Sequence, residues 1–310
     1  MTKAIIKKIR DNNQRVLSSV ITQIIDNRNI DNEFFHSIYP FTQAAIRIGI
    51  TGPPGAGKST IINKFIHIAI KKDKSVGVVA VDPTSPFTGG ALLGDRVRMN
   101  NFSSNSNIFI RSLGSRGDLG GLAKRIQDVG DVLAASGKDI VIYETVGVGQ
   151  GEYDVAQAVD ITIVVLVPES GDEIQLMKAG LIEIADIFVI NKSDRPDANR
   201  LAKTLKLVLE SSTKPIEPAV INTTANDGEG ITKLYEKIFS RLGKMSEKGI
   251  IKKKRLDRHR NRVFDLIQNR LLKEFWTSKR LVELEQRTNN LESTKSSAYQ
   301  IAEEIMENAK

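Results

Sequence analysis

The sequence predicts an α/β fold, a doubly wound and mostly parallel β-sheet with helical extensions before and after it. Consecutive apolar residues, many of them β-branched, form short runs of the kind found in strands that are covered on both faces. Segments with helical spacing of apolar residues separate these runs, and a glycine-rich loop joins the first run to a helix. The runs lie at residues 47–51, 75–81, 108–111, 140–144, 161–167, 187–190 and 217–221.

The chain divides into three predicted segments. Residues 1–43 form an N-terminal helical extension, residues 44–245 the sheet domain, and residues 246–310 a C-terminal helical extension. The chain has 310 residues, of which 40% are hydrophobic and 26% charged, which is typical of a globular protein with one large core. Within the sheet domain, helical spacing is clear at residues 119–135, 174–185 and 199–210.

The composition excludes some classes of site and disfavours others. The chain has no cysteine and only three histidines, so disulfides and thiolate metal sites are excluded. No apolar run reaches the length of a membrane span, and the first residues show no secretory leader, so we expect a cytoplasmic protein without membrane contact. The net charge of +8 is partly concentrated at residues 252–262, where we expect a solvated helix face or an acidic protein partner rather than nucleic acid.

The predicted N-terminal extension has apolar residues at helical spacing from Ile5 to Ile38. This spacing predicts two short helices before the sheet begins. Asp31 is a candidate N-cap for the second of them, and Pro40 is expected to end it. Such an extension packs on the sheet domain or on another subunit, and both alternatives remain open at this stage.

A P-loop is predicted after the first strand. Gly52, four residues, and then Gly57, Lys58 and Ser59 match the Walker A spacing. The glycines permit backbone conformations that bring successive N–H groups close to a polyphosphate, Lys58 neutralises the β- and γ-phosphates, and the Ser59 hydroxyl ligates Mg²⁺. A glycine-rich turn without a ligand is the alternative. The predicted phosphate-binding residues are Gly55, Ala56, Gly57, Lys58, Ser59 and Thr60.

Two later loops predict that the nucleotide is GTP. Asn191-Lys192-Ser193-Asp194 directly follows a predicted strand, where Asp194 can accept hydrogen bonds from the guanine N1–H and amino group. Asn191 is expected to fix the loop, and the stem of Lys192 to stack on the base. Adenine lacks this donor pair. Thr224, Ala225 and Asn226 follow the next strand and predict a loop whose backbone meets the guanine O6.

Three carboxylates are candidates for the Mg²⁺ and water site. Glu144 ends a predicted strand and is followed by Gly147, in the form of a Walker B and switch II element. Asp82 and Asp95 stand at the two ends of a loop rich in glycine, proline and threonine, which is typical of a switch I. Val148 stands where many G proteins have a water-orienting glutamine, so we expect slow intrinsic hydrolysis that a partner accelerates. Gln150 and Gln157 are candidates for that role.

The C-terminal extension is basic and poor in strand signals. Val263, Ile267, Leu271 and Phe275 share one helical register. Trp276, Leu281, Leu284 and Ile305 predict two further helices, with residues 289–297 as a polar hinge between them. A helical tail of this kind is more often a packing or dimerisation element than a second catalytic domain.

Together these motifs closely resemble one family, the MeaB/ArgK-like P-loop G proteins, the auxiliary GTPases of adenosylcobalamin-dependent methylmalonyl-CoA mutase. The resemblance rests on the segments GITGPPGAGKST, AVDPTSPFTGGALLGDRVRM, IRSLGSRGDLGGLA, ETVGVGQGEYDVAQAVD, SGDEIQLMKAGLIEIADIFVINKSD and SAYQIAEEIM. The chain departs from the commoner forms at Leu113-Gly114 and Glu169-Ser170, and its tail beyond Gly249 matches loosely.

The resemblance implies a Mg-dependent GTPase that binds the mutase as a homodimer, gates delivery of cobalamin, and protects or reactivates the enzyme. By position it implies phosphate and metal roles for Lys58 and Ser59, and an acidic cluster of Asp82, Asp95 and Glu144 around Mg²⁺ and water. It also implies a third switch that relays the nucleotide state to the mutase. The residues of this switch III are Asp172, Gln175 and Lys178.

Two other functions remain as alternatives at this stage. A nickel-delivery G protein shares the fold but needs cysteine or histidine ligands at its metal-transfer site, and this chain has no cysteine. An ATP-dependent kinase or transport-associated ATPase shares the P-loop, but the loop from Asn191 to Asp194 favours guanine.

Overall fold

The structure is a computed structural model that describes residues 3–26, 30–82, 102, 105–114, 121–145, 151–170, 180–211, 214–289 and 296–307. Seven strands form one sheet in the order β3-β2-β4-β1-β5-β6-β7. All six pairs of neighbouring strands are parallel. The strands are β1 Ile46–Thr51, β2 Val76–Asp82, β3 Ile108–Gly114, β4 Ile140–Glu144, β5 Ile161–Leu166, β6 Ile187–Ile190 and β7 Ala219–Asn222.

Helices cover both faces of this sheet and alternate with its strands along the chain. Those of the first 250 residues are α1 Lys3–Arg10, α2 Gln14–Ile25, α3 Asn32–Ile38, α4 Lys58–Lys71, α5 Gly121–Ala135, α6 Gly151–Ala158, α7 Leu181–Ile184, α8 Ala198–Glu210 and α9 Ile231–Glu247. Short 3₁₀ turns lie at Tyr39–Phe41 and Pro168–Ser170. The predicted fold class, a doubly wound parallel sheet, is confirmed.

The apolar residues of the strands form a core on each face of the sheet. On one face, Ile48, Ile142 and Ile163 pack with residues of α4 and α9 such as Phe65 and Leu234. The other face is covered by α5 and α6 together with the N-terminal helices α1 to α3. The strands are therefore apolar at consecutive positions because both of their faces are buried.

The N-terminal segment has three helices where the sequence analysis predicted two, so that prediction was wrong in number. Asn12 adopts a left-handed backbone conformation with φ 55°, which ends α1. The side chain of Asn13 then accepts a hydrogen bond from the Val16 N–H at 3.1 Å and caps α2. The predicted cap at Asp31 is confirmed, because its carboxylate accepts a hydrogen bond from the Phe34 N–H at 3.0 Å.

The chain forms two compact units, residues 1–254 and residues 255–310. Three more helices follow α9, namely α10 Ile250–Phe275, α11 Ser278–Thr288 and α12 Ala298–Glu307. In the second unit, Arg287 pairs with Glu304 and so joins α11 to α12. The predicted domain limits at residues 43 and 245 stay a prediction. In the part of the chain that the structure describes, no helix is both long enough and apolar enough to span a membrane.

Candidate functional site

The P-loop lies at the centre of the sheet, at the carboxyl end of β1. Its strand is flanked by β4 on one side and β5 on the other. The carboxyl ends of β4, β5, β6 and β7 lie at the same edge because all the strands are parallel. Ligands of such sheets bind at this edge.

Two glycines of the P-loop are required by close contacts. Gly52 has φ +136°, and a Cβ there would stand 2.0 Å from the carbonyl oxygen of Val165 in β5. Gly57 has φ +88°, and a Cβ there would stand 2.3 Å from the side-chain nitrogen of Asn191. A larger residue at either position would displace the loop from its neighbours.

Helix α4 begins at Lys58 with an open N-terminus. Gly57 occupies the N-cap position, and no side chain accepts a hydrogen bond there. The first-turn N–H groups and the positive end of the helix dipole therefore face the loop, as an anion-binding helix requires. The buried ammonium of Lys58 donates to the carbonyl oxygens of Gly52 at 2.7 Å and Pro53 at 3.0 Å, so it lies inside the loop.

The Ser59 hydroxyl and the Glu144 carboxylate meet beside the P-loop. Ser59 Oγ donates to Glu144 Oε1 at 2.5 Å. Thr145 Oγ1 donates to Thr51 Oγ1 at 2.8 Å, which joins the ends of β4 and β1. Two oxygen ligands of the hard type that Mg²⁺ prefers therefore converge at the start of α4, and these residues fit a magnesium site.

Asn191 connects the P-loop to the two predicted base-reading loops. Its side-chain nitrogen donates to the Ala56 carbonyl at 2.8 Å. Its side-chain oxygen accepts hydrogen bonds from Thr223 Oγ1 and from the Ala225 N–H, both at 3.1 Å. Only 3% of Asn191 is exposed, so this one amide joins three loops inside the protein.

The remaining residues that are predicted to read the base lie around Asn191. Asp194 is exposed, and Lys192 has a left-handed conformation with φ 56°. Thr224 and Ala225 are buried, whereas Asn226 is exposed. The Ser193 N–H donates to the Thr223 carbonyl at 3.0 Å and so holds the two loops side by side. The structure therefore brings Asn191, Lys192, Asp194 and residues 224–226 to one corner of the site, and their assignment to guanine stays a prediction.

Glu152 is a site residue that the sequence analysis missed. It lies in the first turn of α6 and is 8% exposed. Burial raises the pKa of its carboxyl group, although a hydrogen bond with Thr51 and the nearby ammonium of Lys58 act in the opposite direction. Its position directly after the glycines of the segment GVGQG was the available signal, because that segment follows the strand of Glu144.

Several predicted site residues fall outside what the structure describes. Asp95, Asp172, Gln175 and Lys178, together with Gln150, lie outside the described residues, and Asp82 is described only as the last backbone position of β2. Gln157 lines a cleft together with Asp186. Asp186 directly precedes β6, so this cleft lies at the amino ends of the strands, opposite the P-loop. Among the described residues no group of three or more acidic or histidine side chains could hold a metal ion.

Several known proteins are similar to this chain. The model of the family described as "Methylmalonyl Co-A mutase-associated GTPase MeaB" matches residues 14–280. A putative GTPase of Pyrococcus abyssi is 45% identical over 263 residues, which cover 83% of this chain and 81% of the relative. The methylmalonic aciduria type A homolog of Mus musculus, a mitochondrial protein, is 37% identical over 271 residues, which cover 85% of this chain and 64% of the mouse protein.

The fold also has a counterpart among solved structures. The crystal structure of a LAO/AO transport system kinase aligns with a TM-score of 0.74 over 99% of this chain and 98% of that protein. The two sequences are 23% identical, so the likeness concerns the fold alone.

Proposed function

The chain belongs to the family of methylmalonyl-CoA mutase-associated GTPases, MeaB, and hydrolyses GTP; from this premise we propose that it is a chaperone of an adenosylcobalamin-dependent acyl-CoA mutase. In this role it gates delivery of the cobalamin cofactor and protects or reactivates the mutase. The observation that carries the proposal is the match of the family model to residues 14–280, which include the whole nucleotide site. The mouse relative, whose name refers to methylmalonic aciduria, supports the same kind of partner.

The proposed site binds GTP through its two ends. At the phosphate end, the N–H groups of the P-loop and of the first turn of α4 donate to phosphate oxygens, and Lys58 exchanges its bonds to the Gly52 and Pro53 carbonyls for the β- and γ-phosphates. At the base end, Asp194 accepts from the guanine N1–H and amino group. Asn191 fixes the distance between the two ends because it is bonded to both.

Mg²⁺ is proposed at the Ser59 and Glu144 oxygens, with Asp82 and Asp95 as further carboxylates. Ser59 Oγ and Glu144 Oε1 are 2.5 Å apart, so both can face one cation when the proton between them is released or redirected to solvent. A cation held by these residues would neutralise charge on the β- and γ-phosphates during GTP hydrolysis. Lys58 is proposed to hold the β- and γ-phosphates, and Glu144 to hold the cation. Asp82 and Asp95 are the proposed partners of the attacking water.

Slow intrinsic turnover and stimulation by the mutase are part of the same proposal. Val148 stands at the water-orienting position of many G proteins and has no group that can hold a water molecule. Asp172, Gln175 and Lys178 are proposed as the relay, switch III, that carries the nucleotide state to the mutase. The homodimer is proposed to form through the helical extensions, and the cytoplasmic location stays a prediction.

The proposal is tested by copurification with a methylmalonyl-CoA mutase, followed by GTP hydrolysis rates with and without that mutase. We expect complex formation and a higher rate in the complex. The variant Lys178→Ala should keep its basal rate and lose the stimulation. A chain that neither binds the mutase nor changes its rate in its presence would contradict the proposed role.

The two alternative functions are tested by ligand choice. Comparison of mant-GTP with mant-ATP binding separates a GTPase from the ATP-dependent kinase or transport ATPase, and we expect binding of mant-GTP alone. Titration with Ni²⁺ tests the nickel-delivery alternative, for which the chain has no cysteine ligand. Tight Ni²⁺ binding would favour that alternative.

A further inference from the structure

The outer edge of β7 is open, and its backbone groups face a groove. β7 is the last strand of the sheet, and among the described residues no strand pairs with its outer side. The Ala219 and Thr223 N–H groups donate to the Asp186 and Ile190 carbonyls of the β6 side. Because alternate residues of a strand face opposite neighbours, the N–H groups of Val220 and Asn222 point outward. The Asn222 carbonyl lies against Gly230, which limits the open edge at that end.

Helices α8 and α9 form the walls of this groove. Its volume is about 430 Å³. Three exposed lysines line it, Lys203 and Lys206 from α8 and Lys233 from α9, and none of its lining residues is acidic. Among the described residues no salt bridge engages these lysines. The remaining lining residues are Asn199, Ala202, Val220, Ile221 and Asn222.

The arrangement differs from the usual protection of an edge strand. Proteins often place a lysine on the edge strand itself to prevent pairing with another chain. Here the strand residues Ala219 to Asn222 carry no charge, and the lysines stand on the two flanking helices. Lysines in these positions leave the edge strand itself free to pair with another chain. Their positive charges attract an acidic chain.

We propose that this groove binds an acidic, extended segment of another protein, which adds a strand to β7 while its carboxylates pair with Lys203, Lys206 and Lys233. Backbone hydrogen bonds to Val220 and Asn222 supply the pairing, and the lysines select an acidic sequence. A second copy of this chain is disfavoured as the occupant because its net charge of +8 repels the same groove. The inference depends on the edge strand and its lysines, and it is independent of the proposed action on a mutase.

Binding is tested on the full chain with a fluorescein-labelled peptide of the repeat glutamate-glutamate-valine, which places glutamates on both faces of an added strand, and is followed by fluorescence anisotropy. We expect saturable binding that weakens as salt is added, since the carboxylates pair with exposed lysines. The same peptide with lysine in place of glutamate should not bind. A peptide with N-methylated backbone amides should also fail, because it cannot donate to the strand. Equal binding of either control peptide would overturn the proposal.

Variants of the groove test the same contacts from the protein side. The double change Lys203→Glu and Lys206→Glu should weaken peptide binding roughly tenfold or more, as expected for loss and reversal of exposed ion pairs. Lys233→Glu should act in the same direction, whereas Lys237→Glu is the matched control, since Lys237 lies on α9 but does not line the groove. An equal effect of Lys237→Glu would contradict a specific site.

Val220→Pro tests the strand pairing directly. It removes an outward N–H while the ladder between β6 and β7 keeps its bonds, because proline is tolerated at such an edge position. We expect weaker peptide binding with unchanged mant-GDP binding. The alternative is that the protein pairs with a second copy of itself, and sedimentation experiments distinguish the two cases. If the protein self-associates and Val220→Pro abolishes this association, the occupant is a second copy and the proposed partner is overturned. If the variant fails to fold, the N-methylated peptide still decides the point.

Discussion

Asn191 donates a hydrogen bond to the Ala56 carbonyl at 2.8 Å, and this bond joins the loop after β6 to the P-loop. The two residues are 135 positions apart in the sequence. The same side chain holds Ala225 and Thr223 through its oxygen. In the proposed site, guanine recognition and phosphate recognition therefore depend on one buried amide.

Asn191→Ala should weaken GDP and GTP binding together. The change leaves the Ala56 carbonyl and the Ala225 N–H without their partner, and each lost buried bond costs about 1–3 kcal/mol. We expect roughly ten- to hundredfold weaker binding of mant-GDP. Thr223→Val removes only one of the three bonds and serves as the matched comparison, with a smaller effect. Loss of base selectivity with unchanged phosphate affinity would show that the two ends are independent.

Gly57→Ala should disrupt the site more than Gly55→Ala. Both glycines have positive φ, so each alanine carries a backbone cost of about 1–2 kcal/mol. At Gly55 a Cβ meets no atom within 4 Å, whereas at Gly57 it stands 2.3 Å from Asn191. We expect Gly55→Ala to retain measurable mant-GDP binding and Gly57→Ala to lose it. Equal affinities for the two variants would contradict the described contact.

Ser59→Ala and Glu144→Gln should raise the Mg²⁺ concentration needed for GTP hydrolysis. Ser59→Ala removes one oxygen ligand of the proposed cation, and Glu144→Gln replaces the other, a charged carboxylate, by a neutral amide. The measurement is a Mg²⁺ titration of the hydrolysis rate at saturating GTP. Thr145→Val changes the neighbouring bond to Thr51 without removing either proposed ligand, so its Mg²⁺ dependence should match that of the unmodified protein.

Asp194→Asn should shift nucleotide preference from guanine toward xanthine. An asparagine can donate to the oxygen that xanthine carries in place of the guanine amino group. The measurement is displacement of mant-GDP by GDP and by XDP. Asp197→Asn is the matched control, because Asp197 has φ 68° and asparagine tolerates that left-handed conformation. Unchanged guanine selectivity in Asp194→Asn would contradict the base-reading assignment.

Because of Lys138, the free energy of unfolding should increase as the pH rises from about 8 toward the ordinary pKa of a lysine side chain. Burial lowers the pKa of Lys138 to about 8, against a nearby Asp139 that raises it. Between these pH values the unfolded chain binds more protons than the folded one, so the free energy of unfolding increases with pH. Below this range Lys138 is charged in the folded protein as well, so the burial of its charge lowers the free energy of unfolding by the full amount.

Urea unfolding of Lys138→Met across this range checks the sign. The variant loses the hydrogen bonds that Lys138 donates to Asn12 and Ser106, but it no longer gains stability from deprotonation at position 138. The stability of the unmodified protein relative to the variant should therefore increase as the pH rises. A constant difference at every pH would contradict the lowered pKa. Lys71→Met, an exposed change on α4, is the control.

Much of the fold was predictable because its signals are local. The strands are largely apolar runs, and the sheet buries both faces of β5 and β6 fully, whereas β7 at its outer edge is only partly buried. The two-helix prediction for the N-terminal segment failed at Asn12 and Asn13, because apolar spacing continues across a break that only backbone geometry reveals. Short motifs likewise predicted the P-loop and the loops proposed to bind guanine, and the structure brings these loops together through Asn191.

The parts of the site that sequence reasoning missed depend on contacts between distant elements. Glu152 has no motif of its own, and its approach to Thr51 and Lys58 follows from how α6 leaves the sheet. Gln157 was a candidate for orienting water, yet it lies about one and a half turns further along α6 and lines a cleft at the opposite end of the sheet. Helical spacing alone cannot tell which end of a helix faces a ligand.

The parallel pairing of β1 with β4 bears on when a newly synthesised chain can first bind nucleotide, because the two strands are far apart in the sequence. Thr51 and Thr145, which close this pairing, are 94 residues apart. The P-loop therefore emerges from the ribosome long before β4 with Glu144, and still longer before Asn191. Distant pairing of this kind slows folding, and a nucleotide that binds only the folded chain would favour the folded state by mass action.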